Sequence, residues 1–134
     1  MNPRTKKLLR YSAILGIVCV VCIAVAFRLS PPDFRGHRLL NAARDGGVFR
    51  VRLFLLLGAD INYSTGSGNA LHMATYHGNI ELMRFLLAHG SDVNARAKYD
   101  ITPLYVARSN GHREAELLLL ANEADPNTSH INPL

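Results

Sequence analysis

Hydrophobic and polar positions divide the chain into two parts. An apolar run without a charged residue extends from Tyr11 to Phe27. Beyond it, short apolar stretches alternate with polar segments rich in glycine, asparagine and aspartate. The stretch from Ile80 to Leu87 carries apolar residues on more than one stripe of a helix, which indicates a helix packed against neighbours on both sides. The pattern predicts one long apolar helix followed by a series of short helices.

The first apolar run is long enough to be either a membrane anchor or a secretory signal. As a helix, its 17 residues would extend roughly 25 Å, close to the lower limit for crossing a bilayer. Arg10 and Arg28 could reach the interfaces and make up the shortfall. The segment Ala24-Val25-Ala26 also fits a signal-peptidase site, so cleavage near Ala26 remains the alternative. The length favours an uncleaved anchor over a signal peptide.

Cations before the apolar run suggest an orientation. Arg4, Lys6, Lys7 and Arg10 precede it, whereas the positive charges after Arg28 are more dispersed. By the positive-inside rule, the N-terminus is predicted to be cytoplasmic and the rest of the chain to lie on the exported side. If the segment is cleaved, the protein would be secreted or periplasmic.

The rest of the chain contains an internal repeat. A D-x-N tripeptide recurs at intervals of 32 and 33 residues, at Asp60-Ile61-Asn62, Asp92-Val93-Asn94 and Asp125-Pro126-Asn127. Three glycines recur at the same two intervals, namely Gly46, Gly78 and Gly111. Periods of this size are typical of stacked supersecondary units.

Within each period, helix start and stop signals occur at fixed positions. Asn69 and Thr102 are residue types that cap helices, and Pro103 suits the first helical position. Glycines follow the predicted first helices and can adopt the left-handed conformation common at helix ends. Each unit is therefore predicted to hold two short helices.

These residues resemble the ankyrin repeat. Two copies carry its opening motif, Asn69-Ala70-Leu71-His72-Met73-Ala74 and Thr102-Pro103-Leu104-Tyr105-Val106-Ala107, and a looser copy begins at His37. Its closing motif stands as Leu57-Gly58-Ala59-Asp60-Ile61-Asn62 and Leu86-Leu87-Ala88-His89-Gly90-Ser91-Asp92-Val93-Asn94-Ala95. The resemblance covers residues 37–134 as three repeats, with a partial fourth at Ser129-Leu134.

The resemblance implies a fold and a domain organisation. The fold class is an all-α ankyrin-repeat solenoid, in which hairpin-like fingers join helix-turn-helix units, preceded by one transmembrane or signal helix. Residues 1–30 are predicted to be the basic N-terminal segment with the anchor or signal, 31–36 a linker and 37–134 the repeat domain.

The resemblance also implies a site. Ankyrin-like solenoids bind other proteins through the fingers and the concave face formed by the first helices. Tyr76 and Tyr99 are the expected anchors, because an aromatic ring with a polar tip buries a large area at low entropic cost. Carried onto this sequence, the predicted protein-binding residues are Ser64, Thr65, Ser67, Tyr76, His77, Arg96, Lys98, Tyr99, Ile101, Ser109 and Asn110.

Three departures from the repeat pattern carry structural expectations. The 32-residue interval places a one-residue deletion in the first finger, between Tyr63 and Gly68, so this hairpin should be tighter than the next. Glu123 replaces a glycine that ends the second helix, at a cost on the order of 1 kcal/mol. Arg50 and Glu116 align with apolar residues of the middle repeat, which suggests terminal repeats with one wetter face.

Composition and charge exclude several functions. Hydrophobic residues make up 49% and charged residues 19%, as in a globular protein. The net charge of +5 comes from residues 1–30, because residues 31–134 contain ten basic and ten acidic residues. No nucleic-acid partner is therefore expected. Both cysteines, Cys19 and Cys22, lie in the apolar run, so a disulfide framework in the repeats is excluded.

The sequence contains no recognisable catalytic motif. The six histidines are scattered and no cysteine cluster, phosphate loop or nucleophile motif accompanies them. In ankyrin-like repeats the histidine at the position of His72 bonds the backbone and the capping residue, so a structural role is expected. We predict that the protein is not an enzyme, requires neither cofactor nor metal, and has no small-molecule substrate.

Two functions remain open. The first is a protein-binding module, membrane-tethered through residues 11–27 or exported, whose partner the sequence does not name. The second is a structural subunit of a membrane complex that assembles through its apolar helix. Leu56, Leu57 and Leu117, at positions that such repeats usually keep polar, would then be interface residues.

Overall fold

The computed structural model describes residues 3–127, which divide into two units at Pro31 and Pro32. The first unit is a single helix, α1 (Pro3–Leu29), which contains the predicted segment Tyr11 to Phe27. Its stretch Thr5–Leu29 is long and apolar enough to cross a membrane, and no residue of its most apolar window is buried. The predicted apolar N-terminal helix is therefore present.

Within residues 32–127, the second unit contains three pairs of α-helices. In chain order they are α2 (Pro32–Arg44) with α3 (Val48–Leu56), α4 (Ala70–Tyr76) with α5 (Ile80–Ala88), and α6 (Pro103–Ser109) with α7 (Arg113–Ala121). The middle helix α4 packs against both α2 and α6, and α5 packs against both α3 and α7. First helices thus form one row and second helices another, which confirms the predicted all-α solenoid.

Small residues let the first helices approach closely. Ala42, Ala74 and Ala107 occupy the same place in the three layers, and all are buried. Larger side chains of the middle layer, such as Leu71 and Leu82, fill the space between the two rows. The core is therefore continuous along the stack.

The predicted caps begin the middle and last layers. The Asn69 side chain accepts a hydrogen bond from the backbone N–H of His72, and that of Thr102 accepts one from Tyr105. Pro103 occupies the first turn of α6, where a missing N–H costs nothing. These local signals are why α4 and α6 begin where the repeat pattern predicts.

The D-x-N tripeptide links each layer to the next. Asp60 folds back on its own loop, since its carboxylate accepts from the backbone N–H of Asn62. The Asn62 side chain accepts from the N–H of Asp92 at 2.8 Å and donates to the carbonyl of Gly90. Asn94 makes the equivalent pair of bonds to the third layer. The repeated motif therefore crosslinks the stack through polar contacts.

The two fingers differ in length as the repeat interval predicts. In the first, Thr65 and Gly68 exchange backbone hydrogen bonds around a two-residue tip. In the second, the N–H of Ala97 donates to the carbonyl of Ile101 across the three-residue turn Lys98–Asp100. The expected tighter hairpin at the deletion is confirmed.

Helix α2 begins earlier than the repeat pattern suggested. Residues 32–36, assigned to a linker from the sequence, form its first turns. Pro32 and Asp33 are favourable residues at a helix start. His37 aligns with the cap Asn69, but the helix does not begin there and extends further towards the N-terminus. The extension is packed, because the Tyr63 ring lies directly against Gly36.

The ends of the stack carry the predicted departures. Glu123 has a φ of 65°, in the left-handed region that Gly58 and Gly90 occupy in the other layers. Arg50 pairs with Asp45 at 2.8 Å, and Glu116 pairs with arginines of the third layer. The partial fourth repeat at Ser129-Leu134 lies outside the described residues.

Candidate functional site

A groove of about 600 Å³ is formed where the two fingers meet the first helices. Its residues come from the end of α2, from α4 and α6, and from both fingers. They are Arg44, Gly66, Ser67, His72, Met73, Tyr76, His77, Ala97, Lys98, Tyr99, Ile101 and Val106. The groove is large enough for one or a few amino-acid side chains of a partner.

The inner lining of the groove is apolar. Met73 and Val106 occupy equivalent positions on α4 and α6, and Ile101 follows the second finger; all three are half-buried. Side chains in this state retain apolar surface that a ligand can cover. Each square ångström so covered contributes about 25 cal/mol.

Two tyrosines stand at the edge of the groove. Tyr76 is 60% exposed and Tyr99 is 78% exposed. The Tyr76 ring packs edge-on against the His77 ring, with centroids 5.2 Å apart. Large aromatic rings left this exposed are typical of binding surfaces, where they become buried.

The second finger holds Tyr99 in a strained backbone conformation. Tyr99 and Asp100 have φ values of 63° and 56°, in a region that favours glycine. The N–H of Lys98 donates to the carbonyl of Gly66, which ties this finger to the first. Strained non-glycine residues concentrate at functional sites, because selection there acts on function as well as on stability.

His72 contributes to the wall of the groove as a structural residue. Its Nε2–H donates to the carbonyl of Ile101 at 2.9 Å, and its Nδ1 accepts from the backbone N–H of Asn69. Burial lowers the pKa of His72, although the Ile101 carbonyl and the charge of Asp92 act in the opposite direction. The imidazole therefore links the cap of α4 to the second finger, as expected for its repeat position.

The structure brings part of the predicted patch together. Six of its residues line the groove, namely Ser67, Tyr76, His77, Lys98, Tyr99 and Ile101. The remaining five, Ser64, Thr65, Arg96, Ser109 and Asn110, do not line it. Arg96 instead pairs with Asp100, and the Ser109 hydroxyl donates to the carbonyl of Val106.

Sequence reasoning missed several lining residues. Arg44 precedes Tyr76 by one repeat interval, so extending the repeat register to the first layer would have found it. Met73 and Val106 follow the first-helix leucine by two positions in their layers, a position that the sequence analysis assigned to no role. Whether these two side chains line the groove depends on its depth. The repeat pattern gives no information on that depth.

The described residues offer little chemistry other than binding. Within residues 3–127, no group of three or more histidine, cysteine, aspartate or glutamate side chains could hold a metal ion. Cys19 and Cys22 are exposed on α1 as free thiols. The groove is thus the site that the geometry singles out.

The fold and the groove define an ankyrin-type helical-repeat protein. Comparison with known families agrees, since the model for ankyrin repeats (3 copies) matches residues 39–130. The chain belongs to the ankyrin repeat family. Repeats of this family are protein–protein interaction modules and are not themselves catalytic.

Several characterised proteins contain similar sequences. Ankyrin repeat and KH domain-containing protein mask-1 of Caenorhabditis elegans is 36% identical over 109 residues, or 81% of this chain and 4% of that protein. Palmitoyltransferase Hip14 of Drosophila melanogaster is 33% identical over 71% of this chain and 15% of its own length. A probable E3 ubiquitin-protein ligase of rice, XBOS33, is 39% identical over 63% and 17% respectively. The chain therefore spans less than a fifth of each of these relatives.

Proposed function

We propose that this protein binds a partner protein through the groove between its fingers and first helices. The observation that carries the proposal is the pair of exposed tyrosines, Tyr76 and Tyr99, over a half-buried apolar lining. Such rings bury large area on binding with little loss of rotamer freedom. The proposal assigns this chain binding without catalysis. Of the two histidines that line the groove, His72 holds the second finger and His77 packs against the Tyr76 ring.

The proposal includes attachment to a membrane. The apolar side chains of α1 are exposed along its length, and transfer of such surface from water into hydrocarbon is strongly favourable. The protein would span the membrane once, with the repeats on the exported side. The alternative is a secreted or periplasmic protein released by cleavage near Ala26.

Two measurements test this attachment. The intact mass of the mature protein separates an uncleaved anchor from a cleaved signal peptide. Protease added to sealed cells or vesicles should digest the repeats only from the exported side. Digestion only after the membrane is broken would reverse the orientation.

The binding proposal is tested by substituting the exposed rings. The full chain in detergent micelles is used to capture partners from extracts of its source cells, and the Tyr76→Ala and Tyr99→Ala variants are compared. Each variant should lose most of the captured partner, roughly tenfold in affinity. Phe49→Ala is a matched control, because Phe49 is also 78% exposed but lies on α3, outside the groove.

A second function, assembly as a structural subunit, is favoured by a different observation. Phe49, Leu53 and Leu56 are exposed and stand at i, i+4 and i+7 of α3, so they form an apolar stripe on one face. Of the other leucines named from the sequence, Leu117 is exposed and Leu57 is half-buried. If complex assembly is lost with Phe49→Ala or with changes in residues 11–27, while Tyr76→Ala and Tyr99→Ala have no effect, the subunit function holds.

A further inference from the structure

The charged residues that line the groove have one sign. Arg44 and Lys98 contribute to it, and no aspartate or glutamate of residues 3–127 does. We infer that the groove binds an acidic segment of polypeptide that also carries an apolar side chain. This inference rests on the proposed function.

Neither cation is neutralised by the protein itself in the part that the structure describes. The carboxylate next to Arg44 is that of Asp45, which pairs with Arg50 at 2.8 Å. The carboxylate nearest in sequence to Lys98 is that of Asp100, which pairs with Arg96. At both positions the adjacent acid is thus held by a different arginine.

The ammonium of Lys98 also has a defined position. Its Nζ lies 4.8 Å from the centroid of the Tyr99 ring, within the range of a cation–π contact. This contact directs the charge beside the exposed ring without neutralising it. A ligand whose apolar side chain packs on the Tyr99 ring would have its neighbouring groups next to this cation.

The apolar part of the ligand follows from the lining. Met73, Ile101 and Val106 retain exposed apolar surface, and no side chain within the described residues fills the 600 Å³ between them and the tyrosines. One leucine, methionine or phenylalanine side chain fits this description. Carboxylates on either side of it would meet Arg44 and Lys98.

A polypeptide satisfies these features better than a nucleic acid. Residues 32–127, which contain the whole groove, hold ten lysines and arginines and ten aspartates and glutamates, so they carry no net positive charge. An extended phosphate backbone carries a charge at every nucleotide and would meet these acids beyond the groove. A short acidic peptide can place its carboxylates only at the two cations.

Selection from a random displayed peptide library, with the full chain in detergent micelles as bait, tests the inference. The enriched peptides should contain one apolar residue flanked by aspartate or glutamate. Synthetic versions are then titrated by fluorescence anisotropy at two salt concentrations. Replacing their acids with asparagine or glutamine should weaken binding about fivefold per charge, and binding should weaken in higher salt.

Protein variants provide the matched comparison. Arg44→Gln and Lys98→Gln should each weaken binding of the acidic peptide by about fivefold. Arg84→Gln should leave it unchanged, because Arg84 is exposed on α5 and does not line the groove. Lys98→Glu should restore binding to a peptide in which one acid is replaced by lysine.

The outcomes separate this inference from the proposed function. Enriched peptides without acids, whose binding is nevertheless lost with Tyr99→Ala, would overturn the acidic class and leave the binding groove intact. Binding of single-stranded oligonucleotides as tight as that of the acidic peptides would also overturn it. Enrichment of no peptide, or of peptides insensitive to both tyrosines, would overturn the inference and the proposed function together.

Discussion

Two residues of the groove, His72 and Tyr99, have different roles. His72 supports the structure, and Tyr99 provides binding surface. His72 holds the second finger through the carbonyl of Ile101, and Tyr99 stands at the tip of that finger. The first is buried and the second exposed, although both line the groove. Substitutions at these positions therefore have effects on stability that can be separated from effects on binding.

The buried imidazole should make the fold sensitive to acid. Burial lowers the pKa of His72 in the folded state below its ordinary value of about 6.5. Between these two pKa values the unfolded chain binds the proton and the folded chain does not. The free energy of unfolding should therefore decrease as the pH falls below about 6.5 and on through the lowered pKa.

Denaturant unfolding of the full chain in micelles, followed between pH 7.5 and 5.5, measures this effect. His72→Gln lacks the titrating imidazole at this position and keeps the other histidines, so its free energy of unfolding should fall less steeply with acid than that of the parent. Equal slopes for the two proteins would contradict the assignment to His72.

The strained backbone at the tip of the second finger should lower the stability of the fold while it positions a ring for binding. Tyr99→Gly relieves a left-handed residue, so the free energy of unfolding should rise by about 0.5–1 kcal/mol while partner binding falls. Glu123→Gly relieves the same kind of strain outside the groove, and it should stabilise the fold without changing binding. If Tyr99→Gly stabilised the protein and bound the partner as well as the parent does, the ring would not be an anchor.

At the scale of elements, helix α2 differs most from its counterparts. It starts at Pro32, and Tyr63 from the first finger packs on Gly36 in the added turns. The Tyr63 hydroxyl lies 2.9 Å from Nδ1 of His37, the residue directly after the glycine on which the ring packs. This contact connects the first finger to the first helix.

Gly36→Ala should reverse the usual effect of alanine in a helix. A Cβ at residue 36 would overlap Cγ of Tyr63, so the ring must move. We expect a loss of about 1–3 kcal/mol, where helix propensity alone would give a gain. Gly66→Ala is the control, because its Cβ meets nothing within 4 Å. A thermal melt that shows Gly36→Ala at least as stable as the parent would disprove the packing.

At the scale of the whole repeat unit, each layer is stabilised by its contacts with the neighbouring layers. Neighbouring layers are joined by helix packing and by the asparagines of the D-x-N tripeptides. Proteins of this kind behave as a row of units with nearest-neighbour coupling. Damage to one link should therefore have a local effect.

Asn94→Ala should uncouple the third layer. The substitution removes the bonds from this side chain to the N–H of Asp125 and the carbonyl of Glu123, at a cost of about 1–2 kcal/mol. Amide hydrogen exchange should accelerate in α7 and stay unchanged in α2. Asn41→Ala, on the exposed face of α2, serves as the control. Uniform acceleration in all layers would show that the stack unfolds as one unit.

The sequence by itself determined the number of layers, the helix starts at Asn69 and Thr102, and the shorter first finger. These features depend on interactions between residues close along the chain, such as caps and tight turns, which leave a direct trace in spacing. The resemblance to ankyrin repeats, carried onto this sequence, also implied Tyr76 and Tyr99 as residues of the binding surface, and both are exposed.

Only the tertiary structure decided which of these residues share one groove. Arg44 joins Tyr99 there although 54 residues separate them in the chain. Arg44 and Lys98, the two cations of the groove, likewise come from different layers and are brought to one surface by the stacking. Contacts between layers form when the helix pairs stack, and no local pattern encodes how far one side chain reaches towards another.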